Sequence, residues 1–142
     1  MEHNDLRQAI VAEARTWIRT PFMHMGRVKH VGVDCVGLVL CTAAAVGIVA
    51  EDVKKYPRFP INGIFGEHVD KQTLPVDIID LLPGDLMKFQ WTYEPQHLAI
   101  ITQVNPICIV HAYSQVGMCV ETDFDAMWAA RFTDARRFKE LA

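Results

Sequence analysis

Apolar residues recur at Leu6, Ile10, Ala14 and Trp17, three or four positions apart, and mark one face of a helix from about Asp5 to Arg19. Asn4 or Asp5 is placed to cap it, and Thr20-Pro21 ends it. Met23 to Val33 shows no period and reads as a loop. An almost continuous apolar run follows, which predicts a buried helix from Cys35 to about Val46, capped by Asp34 and stopped by Gly47. Ala50 to Pro83 is broken by Pro57, Pro60, Gly63, Gly66 and Pro75, with one short helix expected near Ile64–Val69. A connection this long inside one domain is often functional, so it reads as a flap beside a cleft or a surface excursion, with Tyr56 and Phe59 as candidate substrate contacts. Strands are then expected from about Asp85 to Trp91, at His97–Ile101, at Ile107–Tyr113, at Met118–Thr122 and at Asp134–Phe138. A helical turn is expected at Asp125–Ala130, and no repeat or domain boundary interrupts the chain.

Composition narrows the function classes. Of 142 residues, 51% are hydrophobic and 22% charged, the balance of a single globular domain spanning 1–142. A net charge of −3, without a basic stripe interleaved with aromatics, argues against nucleic-acid binding. Lys54-Lys55 and Arg136-Arg137 read as solvated faces. The longest apolar run, Val36 to Ala50, is shorter than the roughly 20 residues a membrane span needs. Met1 to Asp5 has neither the basic start nor the apolar stretch of a signal peptide. Cys35, Cys41, Cys108 and Cys119 form no C-x-x-C pair, so no metal site is expected. Cys108 and Cys119 fall in adjacent expected strands and could be bridged, although free thiols are the default.

The chemistry concentrates at Cys35. At a helix start its sulfur meets unsatisfied N–H groups and the positive end of the dipole, which favour the nucleophilic thiolate. The other reading is a small buried hydrophobe. His97 and His111 weigh on the choice, because each interrupts a strand that is apolar on both faces. A hairpin turning about Val104, beside the Asn105-Pro106 turn signal, sets the two histidines directly opposite one another. A nucleophile, a base and a group that orients the base form a triad.

Four segments in order resemble the motifs of the NlpC-type cell-wall cysteine peptidases. They are Asp34-Cys35-Val36-Gly37-Leu38-Val39, Gly84-Asp85-Leu86-Met87-Lys88-Phe89, His97-Leu98-Ala99-Ile100-Ile101 and Val110-His111-Ala112. Arg19-Thr20-Pro21-Phe22, Gly26-Arg27 and the ending Trp128 to Phe138 look most like the phage-associated branch of that family. The resemblance runs from about Leu6 to Phe138.

It implies an α+β, papain-like fold in which the helix carrying Cys35 packs against a central antiparallel sheet. It also implies hydrolysis of peptidoglycan stem peptides between γ-D-glutamate and a diamino acid, without metal or cofactor. Cys35 would be the nucleophile, His97 the general base and His111 the orienting third residue, with the Cys35 N–H helping to bind the oxyanion. The expected substrate-binding residues are Asp34, Val36, Phe22 and Tyr56. Val36 stands where many relatives have a Ser that helps hold the free amine of the stem peptide's L-Ala, and Phe22 where many have a Tyr. Met23-His24-Met25 also departs from the relatives, and His24 and His30 read as surface or substrate-side loop residues. The implied setting is a chain made in the bacterial cytoplasm that acts at the wall, as part of a phage tail or after lysis, with tail proteins as partners. The alternatives are a non-catalytic tail-tip or wall-binding module, and a thiol acyltransferase on the same fold.

Overall fold

The computed structural model describes residues 2–52, 64–91 and 95–142. Helix α1 spans His3–Arg15, earlier than its expected start. Glu2 occupies the cap position without a side-chain cap, so neither Asn4 nor Asp5 caps it. The expected stripe is intact: Leu6, Ile10, Ala14 and Trp17 are all buried, Trp17 in the turn beyond the helix.

The stretch read as a loop is a built entry to the helix that carries Cys35. Strands β1 (Arg27–Val28) and β2 (Gly32–Val33) form a small antiparallel hairpin. Backbone bonds from Met23 N–H to the Val33 carbonyl and from Val33 N–H to the Pro21 carbonyl hold it against the preceding chain. Helix α2, Cys35–Ala45, follows as expected, with the Asp34 carboxylate accepting the Gly37 N–H at 2.8 Å. Gly47 takes φ 85° just beyond it, the left-handed turn that ends a helix. Gly37 is required by contact: a Cβ there would run into the Gly26 carbonyl oxygen and lie 2.8 Å from Arg27 Nη1.

The rest is one six-stranded antiparallel sheet built from β3 (Thr73–Val76), β4 (Leu86–Gln90), β5 (Pro95–Gln103), β6 (Cys108–Tyr113), β7 (Met118–Asp123) and β8 (Phe132–Phe138). Its order is β3-β8-β4-β5-β6-β7. Helix α3 (Ile64–Gln72) lies where a short helix was expected but runs longer, and α4 (Ala126–Ala129) is the expected helical turn, capped by Asp125. β3, within the stretch read as irregular, is an unforeseen sheet edge.

Both faces of this sheet are covered, which is why its strands read as unbroken apolar runs. One face, through Leu86, Leu98, Ile100, Val110 and Phe138, packs on α1 and α2. Burying Leu38, Val39 and Ala43 of α2 there contributes about 1.5–3 kcal/mol for each of the larger side chains. The other face, through Met87, Phe89, Ala99, Ile101 and Ile109, packs on Trp128 and Leu81.

Charge is buried too. Asp85, fully buried, accepts from Arg7 Nη1 at 3.0 Å, Arg137 Nε at 2.9 Å and the Leu82 N–H at 2.9 Å, tying α1, β4 and β8 together. Arg136 is buried and donates to Thr73. The Arg136-Arg137 pair is therefore structural rather than a solvated face, because each guanidinium has a buried acceptor. Lys54-Lys55 lie outside the described residues. All four cysteines are free.

Candidate active site

The β5–β6 ladder pairs Ile100 with Val110 and Ile101 with Ile109. The hairpin therefore turns about Asn105, where φ is 57°, and not about Val104. Continued along the strands, that register puts Ala99 opposite His111 and leaves His97 as its diagonal neighbour on the same face. Imidazoles reach across a diagonal. His97 Nε2 and His111 Nδ1 are 2.7 Å apart. His111 Nε2 is in turn 2.9 Å from the Thr122 hydroxyl on β7, so the two rings and one hydroxyl form a chain.

The ladder begins only at Ile100, and before it the Leu98 backbone N–H turns to the Cys35 sulfur. The N–H groups of Cys35 and Val36, at the open first turn of α2, point at the same atom. His97 is the residue next to the one whose amide meets the sulfur, and its ring packs against Phe89 and Trp128.

This site is dry. Cys35 is 8% exposed, His97 4% and His111 0%. Trp128 stacks on His97 with centroids 5.5 Å apart and stands edge-on to His111 at 4.7 Å, while Phe89, Trp91 and Tyr113 complete the wall around His97. Burial sets the protonation states. It pushes the Cys35 thiol up to about 12, with the Asp34 charge adding to the effect and the three amides opposing it. It holds His97 well below the ordinary imidazole value, His111 adding to that, and brings His111 down to about 4. The expectation that a helix start favours the thiolate is reversed here: the amides and dipole act as expected, but desolvation outweighs them. At neutral pH the thiol and both imidazoles are neutral.

Asp34 is committed to structure on both oxygens. Oδ1 accepts from Gly37 N–H and from Arg27 Nη1 at 2.9 Å, and Oδ2 accepts from Met25 N–H at 2.7 Å. Arg27 also bonds Asp52, at 3.1 Å. Val36 is buried and faces a small apolar pocket with Val39, Leu86 and Leu98. Phe22 is half-buried against the α2 core. Tyr56 and Phe59 lie outside the described residues. His24 is half-buried, 4.0 Å from Asp34, and His30 is exposed. Among the described residues no group of three or more His, Cys, Asp or Glu could hold a metal ion, and no helix is long and apolar enough to cross a membrane.

Thr122, Trp128 and Arg27 escaped the sequence reading as site residues. Thr122 carried a usable signal. Ser114 to Gly117 is a turn, and the resulting β6–β7 pairing of His111 with Val120 puts Thr122 two residues on, along the same face.

No protein-family model matches the sequence, and no curated protein matches it. Solved structures do. An NLP/P60-family protein from Staphylococcus aureus, described as similar to a lipoprotein, superposes with a TM-score of 0.71 at 23% identity, covering 95% of this chain and 42% of that one. The NlpC/p60 domain of the peptidoglycan hydrolase SagA gives 0.67 at 21%, covering 93% and 98%. The peptidoglycan hydrolase RipB of Mycobacterium tuberculosis gives 0.68 at 18%, covering 95% and 65%. The chain spans about two fifths of the length of the Staphylococcus protein and of a Bacillus cereus NlpC/P60 protein. The chain has the NlpC/P60 domain fold: mixed helix and antiparallel sheet, with α2 packed on β5 and β6.

Proposed function

We propose that this chain is a peptidoglycan hydrolase of the NlpC/P60 kind: a cysteine peptidase that cuts stem peptides between γ-D-glutamate and a diamino acid. The observation that carries the reading is the buried pair of imidazoles joined at 2.7 Å, one residue from the amide that meets a helix-start sulfur. Core histidines normally bond backbone; two that bond each other, one residue from an amide that meets a thiol, fit the logic of a base and its orienter. The fold shared with SagA and RipB, described as peptidoglycan hydrolases, supports the substrate class.

In this mechanism the Cys35 sulfur attacks the γ-glutamyl carbonyl carbon while the S–H proton passes to His97. His97 Nε2 is held by His111, so Nδ1 is the nitrogen that receives it. The C–S bond forms, the carbonyl oxygen takes the negative charge, and the Cys35 N–H helps hold it. Return of the proton from His97 to the amine expels the diamino acid and leaves a thioester. His97 then deprotonates a water that hydrolyses the thioester and restores the thiol. Because the resting pair is neutral, the proton moves during attack rather than before it. The dry aromatic wall makes separated charges costly at rest and strengthens each hydrogen bond formed in the transition state.

The ending from Trp128 to Phe138 and the segments around Phe22 and Arg27 support the phage-associated branch. In that setting the chain is made in the bacterial cytoplasm and acts at the wall as a tail component, with tail proteins as partners. The buried, neutral thiol is the one observation that favours the non-catalytic module instead.

Turnover of a stem peptide by four proteins tests the proposal. Cys35→Ala should be inactive with a thermal midpoint close to wild type, His97→Ala should be inactive, and His111→Ala should keep residual activity. Equal turnover by Cys35→Ala and wild type would rule the proposal out.

A further inference from the structure

We infer that Thr122 is a positioning residue, whose hydroxyl accepts the His111 Nε2 proton and so fixes both rings in the tautomer that frees His97 Nδ1 to take the thiol proton. The catalytic consequence rests on the peptidase reading; the proton arrangement does not.

The geometry allows two arrangements of protons along the chain. In the first, His97 Nε2–H donates to His111 Nδ1, and His111 Nε2–H donates to the Thr122 oxygen, at 2.7 and 2.9 Å. In the second every donor is reversed: Thr122 O–H donates to His111 Nε2, His111 Nδ1–H donates to His97 Nε2, and His97 carries its proton on Nδ1. Each arrangement satisfies both bonds, since a hydroxyl can donate or accept. Only the first leaves His97 Nδ1 unprotonated and able to act as a base.

One feature favours the first. Thr122 is half-buried, so its hydroxyl can accept from His111 and pass its own hydrogen toward solvent. His111 has no such freedom. It is fully buried, and both ring nitrogens are engaged, by His97 and Thr122.

Without the hydroxyl, a proton on His111 Nε2 would face an apolar group in a dry site, which is costly. Moving that proton to Nδ1 relieves the cost, and His97 Nε2 must then accept. Thr122 thus acts on the base through His111, without touching substrate.

Nitrogen-15 NMR of the two imidazoles reads this directly. The wild type should carry its ring protons on Nε2 of both His97 and His111. Thr122→Val keeps the shape and removes the hydroxyl, and should shift the His111 proton toward Nδ1. Its kcat on a stem peptide should fall roughly tenfold with KM within about twofold, and Thr122→Ser should restore both readouts. Nδ1–H on His111 in the wild type, or unchanged Nε2–H on both rings in Thr122→Val, would overturn the inference. The first of these needs no variant to fold. Absence of peptide turnover by the wild type would count against the peptidase reading, and the NMR result would still decide the role of Thr122.

Discussion

Asp34 does two separable things, and substituting it tests both. It caps α2 through Gly37 N–H and ties the entry hairpin to the helix through Met25 N–H and Arg27. Its charge also raises the Cys35 thiol, second only to burial. Asp34→Ala removes the acceptor for all three donors. At about 1 kcal/mol for the cap and about 1 kcal/mol for each other bond, the loss is about 3 kcal/mol. Arg27 keeps Asp52, so no further charge penalty is added. At about 3 °C per kcal/mol for a chain of this size, the midpoint should fall about 9 °C. Asp34→Asn retains a capping oxygen, because Asn caps as well as Asp, and loses the charge and the bond from Met25. It should cost about half as much, yet its Cys35 should react several-fold faster with iodoacetamide near pH 8, since more thiolate is present. Thermal melts and pseudo-first-order alkylation on the same preparations give both quantities. A folded Asp34→Asn protein that alkylates no faster than wild type would refute the electrostatic half. An Asp34→Ala protein within 2 °C of wild type, against the roughly 9 °C expected, would refute the capping half.

Stability should be flat between about pH 6.5 and 9 and fall on either side. His111 is depressed from 6.5 to about 4, so its contribution is complete above 6.5 and is lost as pH falls toward 4, reaching about 3 kcal/mol. Cys35 and Cys119 are raised from 9.0 to about 12, so their contribution is complete below 9 and is lost as pH rises toward 12. Urea titrations at pH 5, 7.5 and 10 check this; equal midpoints at all three would contradict the burial argument. Asp85→Asn leaves two guanidiniums around a neutral acceptor and should destabilise by about 3 kcal/mol or more in the same titrations. Gly37→Ala drives a methyl into backbone at Gly26 and should lower the midpoint by several degrees, whereas a tolerated alanine would mean the approach of α2 to the hairpin is loose.

The sequence pattern located the helices and strands that matter because burial leaves a period. α2 and its cap were legible from Asp34 and the apolar run, and β4 to β8 from short apolar segments between turn residues. The hairpin centre was misplaced by one residue, because the left-handed Asn105 and the register shift after Ile101 add to the turn. The paired histidines survived that error, since a shift of centre by one residue changes a direct neighbour into a diagonal one on the same face. The α1 boundary was missed because Glu2 makes no side-chain cap, so no sequence signal marks it. β1, β2 and β3 are too short for periodicity to reveal. The thiol's protonation could not be read from α2 alone. It depends on how completely the surrounding core buries the sulfur, a property of packing rather than of the local motif.

The central claim is that Cys35 performs covalent hydrolysis of a stem peptide. Mass spectrometry of a γ-D-glutamyl–meso-diaminopimelate peptide, incubated with wild type and with Cys35→Ala, tests it most directly. The account predicts two products from the wild type, split at the γ-glutamyl bond, and intact peptide with the variant. Intact peptide in both incubations, from a wild type whose thiol resists iodoacetamide, would contradict it and leave a non-catalytic module on the same fold.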